Sequence, residues 1–180
     1  MPCHPLRWIL LSLGSLLPAT PSRAQFELTD YRIAGFVGPA FFTNASPRPL
    51  LLGLSLDAGF FHPKSANVGV GFLVEGGLFH PALSGTANYY FSADAMLARD
   101  APEGADVKLR PFGVAGYSHL FNATSNSIST ANALNFGIGA DRIVRDDLWL
   151  RFEVRDLYTP STDTHALVLR IGLVGAGSLQ

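Results

Sequence analysis

The feature that most constrains this chain is a two-residue alternation of apolar and small or polar side chains, repeated in eight separate runs. The runs cover residues 31–42, 50–60, 67–79, 86–98, 107–121, 132–143, 147–158 and 164–174. Successive side chains of a strand point to opposite faces, so a period of two marks a strand with two chemically different sides. In the seventh run Leu148, Leu150, Phe152 and Val154 share one face, and Trp149, Arg151, Glu153 and Arg155 share the other. The eighth sets Leu167, Leu169, Ile171 and Leu173 against Ala166, Val168, Arg170 and Gly172. The second, fourth and sixth runs repeat the pattern. The first, third and fifth are less clean, because Phe36, Leu73, Phe112 and Val114 fall on the polar face.

Between the runs lie turn-forming residues, among them Asn44-Ala45-Ser46-Pro47, His62-Pro63-Lys64-Ser65, Ala101-Pro102-Glu103-Gly104 and Thr159-Pro160-Ser161-Thr162. The longest break, residues 122–131, is rich in Ser, Thr and Asn and reads as a loop. With both termini on the periplasmic side, that loop is extracellular and residues 144–146 form a short periplasmic turn.

The two faces decide which environment the strands occupy. No charge lies mid-run on the apolar face; Arg99, Arg142 and Asp156 fall on it only at run ends, where they can reach an interface. The opposite face carries Arg32, Asp57, Glu75, Asp94, Arg110, Asp141, Arg151, Glu153, Arg155 and Arg170, five of each sign and at least one per run. A soluble half-buried sheet would show several Lys, Glu and Thr per strand there. Sparse balanced charges among Gly, Ala, Ser and Asn suit a narrow enclosed lumen, where each charge needs an opposite partner. The ten are therefore expected to form a structural salt-bridge network inside a barrel. Arg32, Asp57, Asp94, Arg110, Asp141, Arg151 and Arg170 are expected in one cluster toward the periplasmic half.

The fold class is all-β: a closed antiparallel eight-stranded transmembrane barrel, an up-and-down meander. Runs of 11–15 residues are long enough for the roughly 9–11 that a tilted spanning strand needs, and closure satisfies every backbone group where water is absent. Aromatic girdles are expected from Phe41, Tyr89, Phe91, Tyr117, Phe121, Phe136 and Tyr158 toward the outer end, and from Tyr31 and Phe60 toward the inner.

Residues 1–24 read as a cleaved signal peptide. Arg7 supplies positive charge, Trp8 to Leu17 is an apolar run too short to span a bilayer, and Ser22-Arg23-Ala24 offers the small residues a signal peptidase reads. Residues 25–180 are the barrel domain. The single cysteine, Cys3, lies in the signal, so the mature domain can form neither a disulfide nor a thiolate metal site.

At this point the sequence resembles small eight-stranded outer-membrane barrels of the OmpA/OmpX type. The most suggestive segments are LRPFGVAGYS (109–118), WLRFEVRD (149–156) and LVLRIGL (167–173). The resemblance implies a bacterial outer-membrane location, outer-membrane lipid as surroundings and the barrel-insertion machinery as a partner in biogenesis. Such barrels usually end in an aromatic residue; this chain ends Gly175-Ala176-Gly177-Ser178-Leu179-Gln180.

Nothing in the sequence calls for a cofactor, a metal or catalysis. His62, His80, His119 and His165 lack the spacing of a local metal site and read as solvated or interfacial histidines. Ser118 and His119 are the nearest approach to a hydrolase pair, but neighbours on a strand face opposite ways. Gly69, Gly71, Gly76 and Gly77 have no P-loop lysine after them, and the Lys and Arg residues are too scattered for a nucleic-acid face. A structural or surface-interaction role is expected, with the ligand of the outer loops unknown. The alternatives are a narrow pore or small-solute channel, a lipid-modifying hydrolase and a lipocalin-like binding barrel with the reverse polarity.

Overall fold

A computed structural model describes residues 30–43, 49–61, 68–80, 87–100, 107–123 and 128–178. It contains eight strands: β1 (Asp30–Phe42), β2 (Leu50–Phe61), β3 (Val68–His80), β4 (Ala87–Arg99), β5 (Leu109–Ala123), β6 (Ile128–Arg145), β7 (Leu148–Thr159) and β8 (Thr164–Ser178). Each pairs antiparallel with its sequence neighbour, and β8 closes on β1 through pairs that include Arg32↔Ala176 and Phe41↔Leu167. The architecture is thus a closed up-and-down barrel. The signal-peptide segment, His62, the turns at 44–47, 62–65 and 101–104, and the last two residues lie outside the described residues.

Alternation in sequence becomes alternation of environment. Along β7 and β8 Arg151, Glu153, Arg155, Leu157, Ala166, Val168 and Arg170 are buried, while Phe152, Val154, Leu167, Leu169, Ile171 and Leu173 are exposed. The outside is strongly apolar: Ile138 is 72% exposed, Phe72 69% and Leu54 67%. Such a belt around the whole molecule far exceeds the isolated apolar patches of water-facing proteins. The polarity is the inverse of a lipocalin-like barrel, whose apolar residues face inward. Of the expected girdle aromatics, Tyr31, Tyr89, Phe91, Tyr117 and Phe136 are exposed and Phe41, Phe121 and Tyr158 half-exposed; the side chain of Phe60 is outside the described residues.

Two features depart from expectation. Residues 122–131 are not a ten-residue loop: β5 runs to Ala123 and β6 begins at Ile128, with Asn122↔Ser129 and Ala123↔Ile128 paired. Asn122, Ser129 and Thr130 are polar yet remain paired strand, so polarity here does not mark where pairing ends. Phe36, Leu73, Phe112 and Val114, which broke the alternation, are all buried inside the barrel.

Tight connections occur at both ends. Asp146-Asp147 joins β6 to β7 beside a register shift at Ile143/Arg145, and Trp149 Nε1 donates to the Asp146 carbonyl at 3.3 Å. Between β7 and β8, Asp163 takes a φ of 48°, a conformation that Asp tolerates better than most residues.

Candidate functional site: the filled lumen

The inward side chains stack in layers. Nearest the end that carries the start of β1 and the finish of β8, Arg32 lies over the Trp149 ring at 4.3 Å, with Arg110 at 5.5 Å from the same ring. Register then builds a first ion cluster. Arg110, Asp141 and Arg151 are direct cross-strand partners on β5, β6 and β7. Arg151 Nε donates to Asp141 Oδ1 at 2.7 Å, and its Nη2 crosses the lumen to Asp57 Oδ2 on β2, also at 2.7 Å. Arg110 reaches Asp141 at 3.4 Å. The guanidinium of Arg151 rests 4.9 Å above the Phe112 ring.

A second cluster fills the middle. Arg155 on β7 bonds Glu153 at 2.7 Å, and reaches across to Glu75 on β3 at 2.5 Å and Asp94 on β4 at 2.9 Å. Arg170, from β8, bonds Glu75 at 2.9 Å and pairs with Glu153, its cross-strand neighbour. Tyr90 donates to Glu75 Oε1 at 2.8 Å, and Arg170 lies 4.3 Å over the Phe36 ring. Ser92 donates to Asp94 at 3.0 Å, and Asn135 to Ser118 at 2.7 Å.

All ten charged residues named from the sequence face inward and are buried. The seven expected in one cluster divide differently. Asp57, Arg110, Asp141 and Arg151 stay together, with Arg32 directly across from Asp57 and over the Trp149 ring, while Asp94 and Arg170 belong to the cluster of Glu75, Glu153 and Arg155. Arginine suits this work because its long stem spans the lumen and its planar fork serves two carboxylates while stacking on an aromatic ring. The aromatic supports, Phe36, Phe112 and Trp149, were missed as site residues. Their signal was present in the sequence as apolar residues on the charged face.

Above the second cluster the lumen turns apolar. Phe36, Ala40, Leu51, Phe79, Tyr90, Leu157, Ala166 and Val168 form one buried core, with Phe42 and Leu120 packed against it. Phe42 meets Phe79 edge-on at 5.6 Å, and Phe79 meets Tyr90 at 5.8 Å. Through both ion clusters and the base of the apolar layer, then, side chains rather than open space occupy the interior.

Ser118 is fully buried inside while His119 lies on the outer side, where its Nδ1 meets Asn132 Oδ1 at 2.7 Å and its ring packs on Phe121. They form no pair. On the exterior, His165 Nδ1 lies 2.8 Å from Asp156 and its ring stacks on Tyr158 at 4.6 Å. The nearby Thr43 hydroxyl is engaged with the main chain of His165 at 3.2 Å. Among the described residues no group of three or more His, Cys, Asp or Glu could hold a metal ion.

Comparison with solved structures places the fold. The chain is similar to Neisserial surface protein A (NspA), with 16% identity and a TM-score of 0.57 over 81% of this chain and 96% of that one. It is similar to the N-terminal β-barrel domain of OprF from Pseudomonas aeruginosa, with 18% identity and a TM-score of 0.54 over 81% and 96% of the two chains. It is also similar to the outer membrane enzyme PagL, with 11% identity and a TM-score of 0.50 over 78% and 97%. No family model and no curated protein sequence matches it.

Proposed function

We propose that this chain is an outer-membrane barrel with a structural or surface-interaction role, non-catalytic and non-conducting. The observation that carries this reading is the filled lumen. Arg151, Arg155 and Arg170 each bridge carboxylates on separate strands, and an apolar layer lies above them. An eight-stranded barrel has an interior only wide enough for side chains to fill, and here they do so with charges that satisfy one another. The apolar exterior supports lipid as its surroundings, and the similarity to outer-membrane barrels supports that location, with the barrel-insertion machinery as a partner in biogenesis. PagL is described as an enzyme, so fold alone does not decide the question of catalysis. What favours a non-enzyme is the separation of Ser118, buried inside the lumen, from His119, whose ring is engaged on the outer side.

Fractionation and conductance test the reading together. Expressed from the full chain, the protein should collect in the outer membrane and change gel mobility on boiling. In planar bilayers it should give no steady current steps. Recovery in the soluble fraction without a mobility shift would refute the lipid-embedded barrel. Regular steps altered by Glu153→Gln would instead establish a pore.

A further inference from the structure

An apolar layer lines the end of the lumen opposite the barrel's termini. It encloses a cup of about 120 Å³ between Phe42, Phe79, Leu120, Leu157 and Ala166. The cup is blind, because the contacting rings of Phe79 and Tyr90, and beneath them the Tyr90–Glu75 hydrogen bond, separate it from the ion clusters. One polar atom in its wall is unsatisfied: Asn88 Oδ1 is buried and has no hydrogen-bond partner. A buried acceptor without a donor is costly, so this atom is a standing demand for a donor.

We propose that this cup binds a small, uncharged, single-ring molecule that carries one hydroxyl, with the hydroxyl donating to Asn88. Size sets the first limit. A dry cavity of about 150 Å³ lined by Leu, Ile and Phe takes up benzene, so a cup of this volume takes about one ring and no more. Charge sets the second. The described residues that line the cup are all uncharged, so a phosphate, carboxylate or ammonium group would be stripped of water with no counter-charge. Polarity sets the third. Asn122, Thr159 and Thr164 also line the cup, but among the described residues Asn88 Oδ1 is the one lining atom buried without a partner, and a carboxamide oxygen selects a donor. Because the floor is closed, the site captures a molecule without passing it through.

The test uses the full chain folded in lipid nanodiscs, titrated with 4-fluorophenol and followed by fluorine NMR. The hydroxyl-free 4-fluorotoluene serves as the comparison, and uptake into protein-free nanodiscs is subtracted for each probe. One saturable site is expected for 4-fluorophenol. Ala166→Leu, which fills the cup, should weaken it at least about tenfold. Asn88→Leu should abolish a preference of about tenfold for 4-fluorophenol over 4-fluorotoluene, the value of a single net hydrogen bond. Leu120→Phe serves as a second filling variant, and gel mobility confirms that each variant folds. Uptake equal to that of empty nanodiscs, or binding unchanged by both filling variants, would overturn the site. A site blocked by filling but indifferent to Asn88→Leu would overturn the hydroxyl-bearing ligand.

Discussion

At the scale of single residues, the account rests on charges that are safe only as a set. Arg155 is 1% exposed and answers Glu75, Asp94 and Glu153 at once. Arg155→Met should cost about 3–5 kcal/mol in urea unfolding of the bilayer-inserted protein, because buried carboxylates lose their counter-charge. Adding Asp94→Asn should recover a substantial part of that loss, since the second change removes a carboxylate that Arg155 neutralises at 2.9 Å. An additive double mutant would contradict the pairing. Which residues face inward was legible in the sequence, since parity along each strand decides it. Which inward charge meets which was not. Arg151 reaches Asp57, 94 positions away, only because barrel stagger sets β7 across the lumen from β2. The same limit hid the roles of Phe36, Phe112 and Trp149. Phe36 and Phe112 look like errors of alternation, and Trp149 like an ordinary member of the polar face, until the guanidinium resting on each ring is seen.

At the scale of strands, close contact and lipid exposure make different demands. Gly38 faces inward where a Cβ would stand 1.7 Å from the Leu169 carbonyl oxygen, so β1 can close on β8 only without a side chain there. Gly76 faces outward, and a Cβ would meet nothing nearer than 3.8 Å. Gly38→Ala should therefore abolish or sharply reduce the heat-sensitive folded band on gels, and Gly76→Ala should leave it intact. Equal behaviour of the two would contradict the β1–β8 seam. On the outer surface, Ile138 sits mid-strand opposite Val154. Ile138→Lys should destabilise the inserted barrel by about 2–4 kcal/mol in urea titration, while Arg142, four residues further along β6 on the same face, is native and exposed near the strand end. The eight strands were legible because period-two patterning extends through each. Their ends were less so. Ser129 and Thr130 carry turn-like composition, yet they are held as strand by pairing with β5, a contact that local sequence does not encode.

At the scale of the whole molecule, one polarity organises everything: ionic and aromatic inside, aliphatic outside. A soluble β-protein of this size would bury Ile33, Leu54, Phe72 and Ile138, all of which are exposed here. The arrangement is stable only if something apolar surrounds it, and lipid is the solvent that meets this demand around a full circumference. The inward charges are the counterpart of that belt, filling a lumen that water could otherwise occupy. The sole cysteine of the chain, Cys3, makes the direct measurement straightforward. In a Cys3→Ser background, one cysteine per strand at Ile33, Leu54, Phe72, Phe91, Tyr117, Ile138, Val154 and Leu169 would carry a nitroxide label in lipid vesicles. Collision rates with dissolved oxygen and with a water-soluble nickel chelate would then be compared by electron paramagnetic resonance. The account predicts that all eight sites collide freely with oxygen and are shielded from nickel; free access of nickel to most of them would show the apolar face turned to water and contradict it.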